Sequence, residues 1–296
     1  MTAGSMRHTH VSMKSVIALL LTLAASAEAM PPQDSPTGRQ QSILDIDDYA
    51  TALAAAGERR VMLLVSIEPT ARRQDNDRVA ERLVASSLRE RFTAGGDGWV
   101  FCRLGMEEGG RELVQSPALS ELRRGPGIFV IDQTPGRWRG RVVSVLPRTP
   151  GRYYQFAAAD LELLPSLPHG SLTQRSLILA VRRHPARPLS TCGNSDESLA
   201  AAAAAHAAHQ ARLRRQGHHG WEARSQQFAG GRGGASEVCA ESWPDQDLLD
   251  SCVDCVACWR QSAGHWQAVS SPQAAYGYDI SRGANGIWYA TGIFIR

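Results

Sequence analysis

Apolar positions along the chain recur with two periods, and the switches between them mark out the elements. Ile43, Ile46, Tyr49 and Leu53 sit at helical spacing and predict a helix over 42–56. The run RVMLLVSI at 60–67 predicts a buried strand, and Val79, Leu83, Val84 and Leu88 share one face of a helix over 77–92. Strands follow at 99–104 (WVFCRL), 127–132 (GIFVID) and 141–146 (RVVSVL). A helix over 112–123 separates the first two, and a short helix over 156–164 closes the series. Helical crossovers before a hairpin imply a parallel strand pair and then an antiparallel one, which is an α/β (α+β) class with a mixed sheet.

Pro165 to Ser171 has the composition of a linker. Beyond it a helix is predicted over 172–183, stopped by His184-Pro185. The strongest helix of the chain is predicted over 198–216, because alanine has the highest propensity and no β-branched residue interrupts it. Gly217 ends it, and a short helix follows over 222–228. The GGRGG stretch at 230–234 lacks the lysine and the serine or threonine of a phosphate-cradling loop. A helix over 247–261 and two strands, 276–279 and 286–294, complete the chain, with Asn285-Gly286 favouring a tight hairpin turn.

A length of 296 residues suits two domains, 42–164 and 172–296, preceded by a flexible leader over 30–41. A net charge of +3 spread along the chain provides no strong field for nucleic acid, so no nucleic-acid partner is expected. Residues 13–29 (MKSVIALLLTLAASAEA) join one positive charge, a short apolar run and a small-residue end. This pattern predicts a secretory signal peptide over 1–29, with Met13 the more natural start. No later stretch reaches the ~18 apolar residues of a membrane helix. The mature chain is therefore expected to be secreted, periplasmic or held in the cell envelope, without a transmembrane segment.

Export gives the cysteines their context. Five of the six cysteines, six of the nine histidines and five of the seven tryptophans lie between His184 and Trp288. Cys252, Cys255 and Cys258 form one helical stripe. Disulfides from that stripe to Cys239 and Cys192 suit an exported protein, and the alternatives are a reduced buried stripe or a thiolate metal site. Cys102, inside a strand, reads as a buried apolar residue.

Two resemblances organise these observations. Residues 42–164 resemble the thioredoxin-like fold, whose third core strand follows a proline that is normally cis; Pro126 holds that position. The C-x-x-C that the family's redox chemistry requires is replaced by Ser66-Ile67-Glu68-Pro69-Thr70, so this domain is expected to be redox-inactive. Residues 172–294 resemble the SCP-like or CAP superfamily in its bacterial form. The resemblance rests on a Pro-Leu turn, an alanine-rich helix, a following histidine, a Glu-containing segment and Trp259-Arg260-Gln261-Ser262-Ala263-Gly264-His265. Trp259 and Gly264 mark its most specific part. It implies an α-β-α sandwich with a groove lined by two histidines and one or two glutamates. His265 matches one histidine, and His218 or His219 the other. Glu237 matches the glutamate of the family's G-E-N segment, with Ser236 and Val238 replacing its neighbours, and Glu241 competes with it on spacing.

Two imidazoles and a carboxylate are a competent set for zinc or another divalent metal with an open position for water. No H-E-x-x-H is present and no nucleotide or redox cofactor is expected. His206 and His209, three apart, could share a helix side and read as solvent-facing or core-edge residues. Ser262 reads as a turn or cap rather than a nucleophile, because no G-x-S-x-G elbow accompanies it. The sequence supports non-catalytic recognition of an unidentified extracellular or envelope ligand through this groove. A metal-assisted hydrolase at the same residues and an envelope scaffold are the alternatives.

Overall fold

The computed structural model describes residues 44–46, 48–68, 98–228 and 234–296. The expected signal peptide and leader, the helix over 77–92 and most of the GGRGG stretch lie outside them. The described chain is a mixed α/β structure built on two mixed sheets.

In the first sheet β1 (Leu44–Ile46), β2 (Met62–Glu68), β3 (Trp99–Gly105), β4 (Gly127–Asp132) and β5 (Arg141–Pro147) adopt the order β1-β3-β2-β4-β5. β1 and β2 run parallel to β3, β4 pairs antiparallel to β2, and β5 antiparallel to β4. The expected parallel pair and hairpin are both present. β4 is buried along its whole length, which explains its near-continuous apolar sequence.

The helix expected over 42–56 is instead a strand and a helix, β1 and α1 (Tyr49–Arg59). Asp48 makes the break. Its backbone is extended and its side chain accepts a hydrogen bond from Thr51 N at 2.7 Å, so it caps α1 and leaves the residues upstream to pair with β3. The helix expected over 112–123 is also subdivided, into a π-helical turn (106–110), a helical turn (Arg111–Leu113) and a 3₁₀ segment (Pro117–Arg124). Pro117 forces Ser116 into an extended conformation, which an α-helix cannot pass through. Pro126, expected in cis by resemblance, has a trans peptide bond.

After α2 (Ala158–Leu163) comes α3 (Leu172–Arg183), opened by a capping box in which Ser171 and Gln174 satisfy each other's backbone amides. The second sheet joins β6 (Asn194–Ser195), β7 (Ala235–Glu241), β8 (Ala275–Arg282) and β9 (Trp288–Ile295) in the order β6-β8-β9-β7. β7 is therefore an edge strand. It pairs antiparallel with β9, and its alternating pattern was too short and polar to stand out in the sequence.

The alanine-rich helix α4 (Glu197–Leu213) lies on one face of this sheet, where Leu199 and Ala203 pack against Ile293. The approach is close. A Cβ at Gly277 of β8 would fall 2.2 Å from the α4 backbone, so only glycine fits there. Helix α4 stops at Arg214, in a left-handed conformation, three residues before the expected glycine stop. The short helix α5 (Trp221–Phe228) follows.

On the opposite face, α3 and α6 (Leu248–Gln261) bury Leu177, Val181, Cys252, Cys255 and Trp259 against Val238, Tyr278 and Phe294. Trp259, fully buried, lies 5.9 Å from the Tyr278 ring. Helix α6 does not simply end at Ser262. That residue separates it from a further helix, α7 (Ala263–Ser270), in keeping with its reading as a turn residue.

This core does not stop at the second sheet. It continues through Leu64, Phe101, Ile128 and Val130 of the first. Two acids reinforce the seam: Asp250 of α6 accepts from the amides of Arg152, Tyr153 and Tyr154 at 3.1, 2.6 and 2.8 Å, and Glu121 accepts from Leu248 N at 2.9 Å. The stretch 165–171 is packed as well, with Leu167 buried and Arg175, 1% exposed, donating to the carbonyls of Leu167 and Pro168.

No disulfide joins the cysteines. The stripe on α6 is present, with Cys252 and Cys255 fully buried and Cys258 at its edge. Cys239 faces the other side of the sheet, toward α4, and Cys192 lies exposed in a loop, so the expected partners point apart. Cys102 is buried in the first sheet as an apolar residue.

Candidate functional site

The side chains of β7 alternate. Val238 and Ala240 enter the apolar core, while Glu237 and Cys239 point toward α4. Because β7 is an edge strand, the two helical layers meet beyond it. His206 arrives from the middle of α4, His218 and His219 from the turn after it, Arg224 from α5, and His265 from the start of α7 on the opposite layer.

Glu237 is the centre of this cluster. Its side chain is fully buried, and its Oε2 receives Arg224 at 2.6 Å. Its Oε1 lies 3.0 Å from His218 Nδ1, 3.7 Å from His206 Nε2 and 3.7 Å from Cys239 Sγ. His218 links the buried cluster to the surface, since its Nε2 stands 3.3 Å from Nε2 of His265. His206 Nε2 also lies 2.9 Å from the Gly217 carbonyl, while its Nδ1 is buried without a partner.

The electrostatics follow from this geometry. Burial pushes the Glu237 carboxyl up, but hydrogen bonds from His218 and Arg224 and the nearby charges outweigh it and hold the group below its ordinary value. Burial lowers His206 and His265, the latter with help from His218, and so favours neutral imidazoles. Burial, and then the Glu237 charge, raises the Cys239 thiol far above the usual range.

The structure thus brings together His218, Glu237 and His265, three of the residues picked out in the sequence. It separates the remaining two. His219 turns away from His265, its ring lying 6.4 Å from that of His206 and 6.0 Å from that of His209. Glu241 is exposed at the far end of β7, four residues or about 13 Å along the strand from Glu237 at ~3.3 Å per residue. Gly264 fills no steric need, since a Cβ there would meet nothing within 4 Å.

Three members were not legible as site residues. His206 and His209 share one side of α4, with rings 6.1 Å apart, but only the long-range approach of β7 shows that His206 faces a carboxylate. The export context of Cys239 points to a disulfide rather than to a site. Arg224 carried no signal beyond its position in a short polar helix.

Compared with known proteins, the chain matches no family model and no curated protein.

Chemically, the cluster contains two donor sets. Buried His206, Glu237 and Cys239 present ligand atoms within 4.8 Å of one another and could hold a metal. Toward solvent, His218 Nε2 and His265 Nε2 stand at 3.3 Å, close to the separation of about 3.3–3.4 Å between two corners of a tetrahedron with ~2.0–2.1 Å zinc–nitrogen bonds. Among the described residues no helix is long and apolar enough to cross a membrane.

Proposed function

We propose that this chain is an exported, SCP-like or CAP-like protein that recognises an extracellular or envelope ligand, without catalysis, through the groove formed by His218, Glu237 and His265. The observation that carries this reading is the convergence of these residues from three separate segments around the β7 edge. The α4–sheet–α3/α6 layering supports the same reading, and the strand order β1-β3-β2-β4-β5 supports a thioredoxin-like first domain. At the place of that fold's redox cysteines, Glu68 instead pairs with Arg148 at 2.6 Å, which suits a redox-inactive role.

The groove also suits a divalent cation. If the Nδ1 hydrogen of His218 is donated to Glu237, its Nε2 lone pair faces outward beside that of His265, an arrangement in which a buried carboxylate orients a metal-binding imidazole. A bound cation would supply a Lewis-acidic seat for an anionic group of the ligand. Recognition is favoured over hydrolysis because Glu237, engaged at both oxygens and held below its ordinary pKa, is a poor general base.

Calorimetric titration of the mature protein with zinc tests the groove, with wild type expected to bind and His265→Ala to bind at least tenfold more weakly. Co-sedimentation with envelope fragments should fall in parallel. Equal zinc affinity and equal sedimentation in the variant would remove the reading.

A further inference from the structure

We propose that the inner side of this cluster is a second site, in which Cys239 as thiolate, Glu237 and His206 hold a soft or borderline divalent cation of the zinc class, with the fourth corner left to water. This site is distinct from the outward-facing pair and does not require His265.

The geometry is that of three donors near tetrahedral spacing. Zinc–nitrogen and zinc–oxygen bonds of ~2.0–2.2 Å and a zinc–sulfur bond of ~2.3 Å place neighbouring corners about 3.3–3.7 Å apart. Here Cys239 Sγ lies 3.7 Å from Glu237 Oε1. Glu237 Oε1 lies 3.7 Å from His206 Nε2 and keeps the 3.0 Å hydrogen bond with His218 Nδ1. The buried trio meets as a group within 4.8 Å. Three donors of three chemical types therefore lie close together, and one thiolate with one imidazole selects zinc-like ions over magnesium or calcium.

The surroundings complete the arrangement. Arg224 occupies the other carboxylate oxygen and fixes the direction of Oε1. The His206 side chain has no exposed surface. To bind through Nε2 it releases the Gly217 carbonyl and carries its hydrogen on Nδ1, which at present has no partner to lose. Cys239 gives its thiol proton to solvent as the sulfur–metal bond forms, so each ion bound releases one proton from the thiol. Thiolate and carboxylate each offset one charge of the dication, and with Arg224 the cluster carries one net positive charge. Entry is from the half-exposed His218 side.

Cobalt(II) titration of the mature protein reads this site directly, because a sulfur–cobalt bond produces a near-ultraviolet charge-transfer band that imidazole and carboxylate ligands do not. The band should appear with one equivalent in wild type and persist in His265→Ala. It should vanish in Cys239→Ser, which retains a small polar side chain beside Glu237, and remain in Cys258→Ser. A circular dichroism spectrum matching wild type establishes that the serine variant is folded. Absence of the band in folded wild type, or its persistence in Cys239→Ser, overturns the proposal. Loss of zinc affinity in His265→Ala bears on the outer groove alone, so the two readings fail separately.

Discussion

Cys102 in β3 and Cys239 in β7 occupy what looks like the same setting, a strand interior with 1% exposure in each case. Their neighbours make them chemically different. Cys102 belongs to the apolar cluster of Val65, Leu104 and Phe129, whereas Cys239 faces a carboxylate and an imidazole. Burial alone therefore says little about a cysteine. What matters is whether its strand lies inside the sheet, with apolar layers on both sides, or at an edge where loops can bring in polar groups.

The largest test of this contrast is to remove what makes the second setting polar. Glu237→Ala leaves Arg224 without its buried partner and should cost about 3 kcal/mol in chemical denaturation, the lower end for breaking a buried ion pair. A loss below ~1 kcal/mol would show that the cluster is not held by its carboxylate.

The seam between the two regions provides the next effect. Burial, and then Asp247, pushes Glu121 up to about 7. Its folded-state value is thus raised, so its contribution is present below the ordinary value of about 4.3, declines as pH rises, and is lost above about pH 7. Glu121→Gln keeps an acceptor for Leu248 N and should be more stable than wild type at pH 8 by about 2–3 kcal/mol, with the difference gone at pH 4. Parallel pH profiles for the two proteins would contradict this.

Paired serine substitutions sharpen the comparison itself. Cys102→Ser places a hydroxyl in a mainly apolar layer, beside the Arg103 carbonyl, and should cost about 1–3 kcal/mol. Cys239→Ser places the same hydroxyl beside Glu237 and His218 and should cost less than about 1 kcal/mol. Equal losses would erase the distinction.

The smallest effect is the acid response of the second region. His206 and His265 are lowered by burial, so the unfolded chain takes up protons first. Their contribution is intact above about pH 6.5 and declines as pH falls through their folded values. His265→Ala should flatten part of the fall in thermal midpoint between pH 6.5 and 5, and an unchanged slope would count against a neutral, buried His265.

Much of the fold was legible because its strongest elements are local. The strand runs at 60–67, 127–132 and 141–146 and the helix at 172–183 declare themselves by period alone. What escaped depended on partners. β1 is three residues long and exists by pairing with β3, and β7 alternates too weakly to be seen without β9 beside it. The site divides the same way. His218, Glu237 and His265 could be read from motif spacing, but the choice against Glu241 and His219 needed the strand direction and the turn after α4. Cys239 and Arg224 became site residues only when an edge strand drew four segments together.

The seam has a further consequence. Arg175 donates to Leu167 and Pro168 from within a core that both sheets line, and Asp250 caps amides nearly a hundred residues earlier in the chain. Neither half carries a finished surface where it meets the other. A duplication or fusion that moved one half alone would expose hydrocarbon along the seam and leave Asp250 without the amides it caps, so the two halves are expected to fold as one unit.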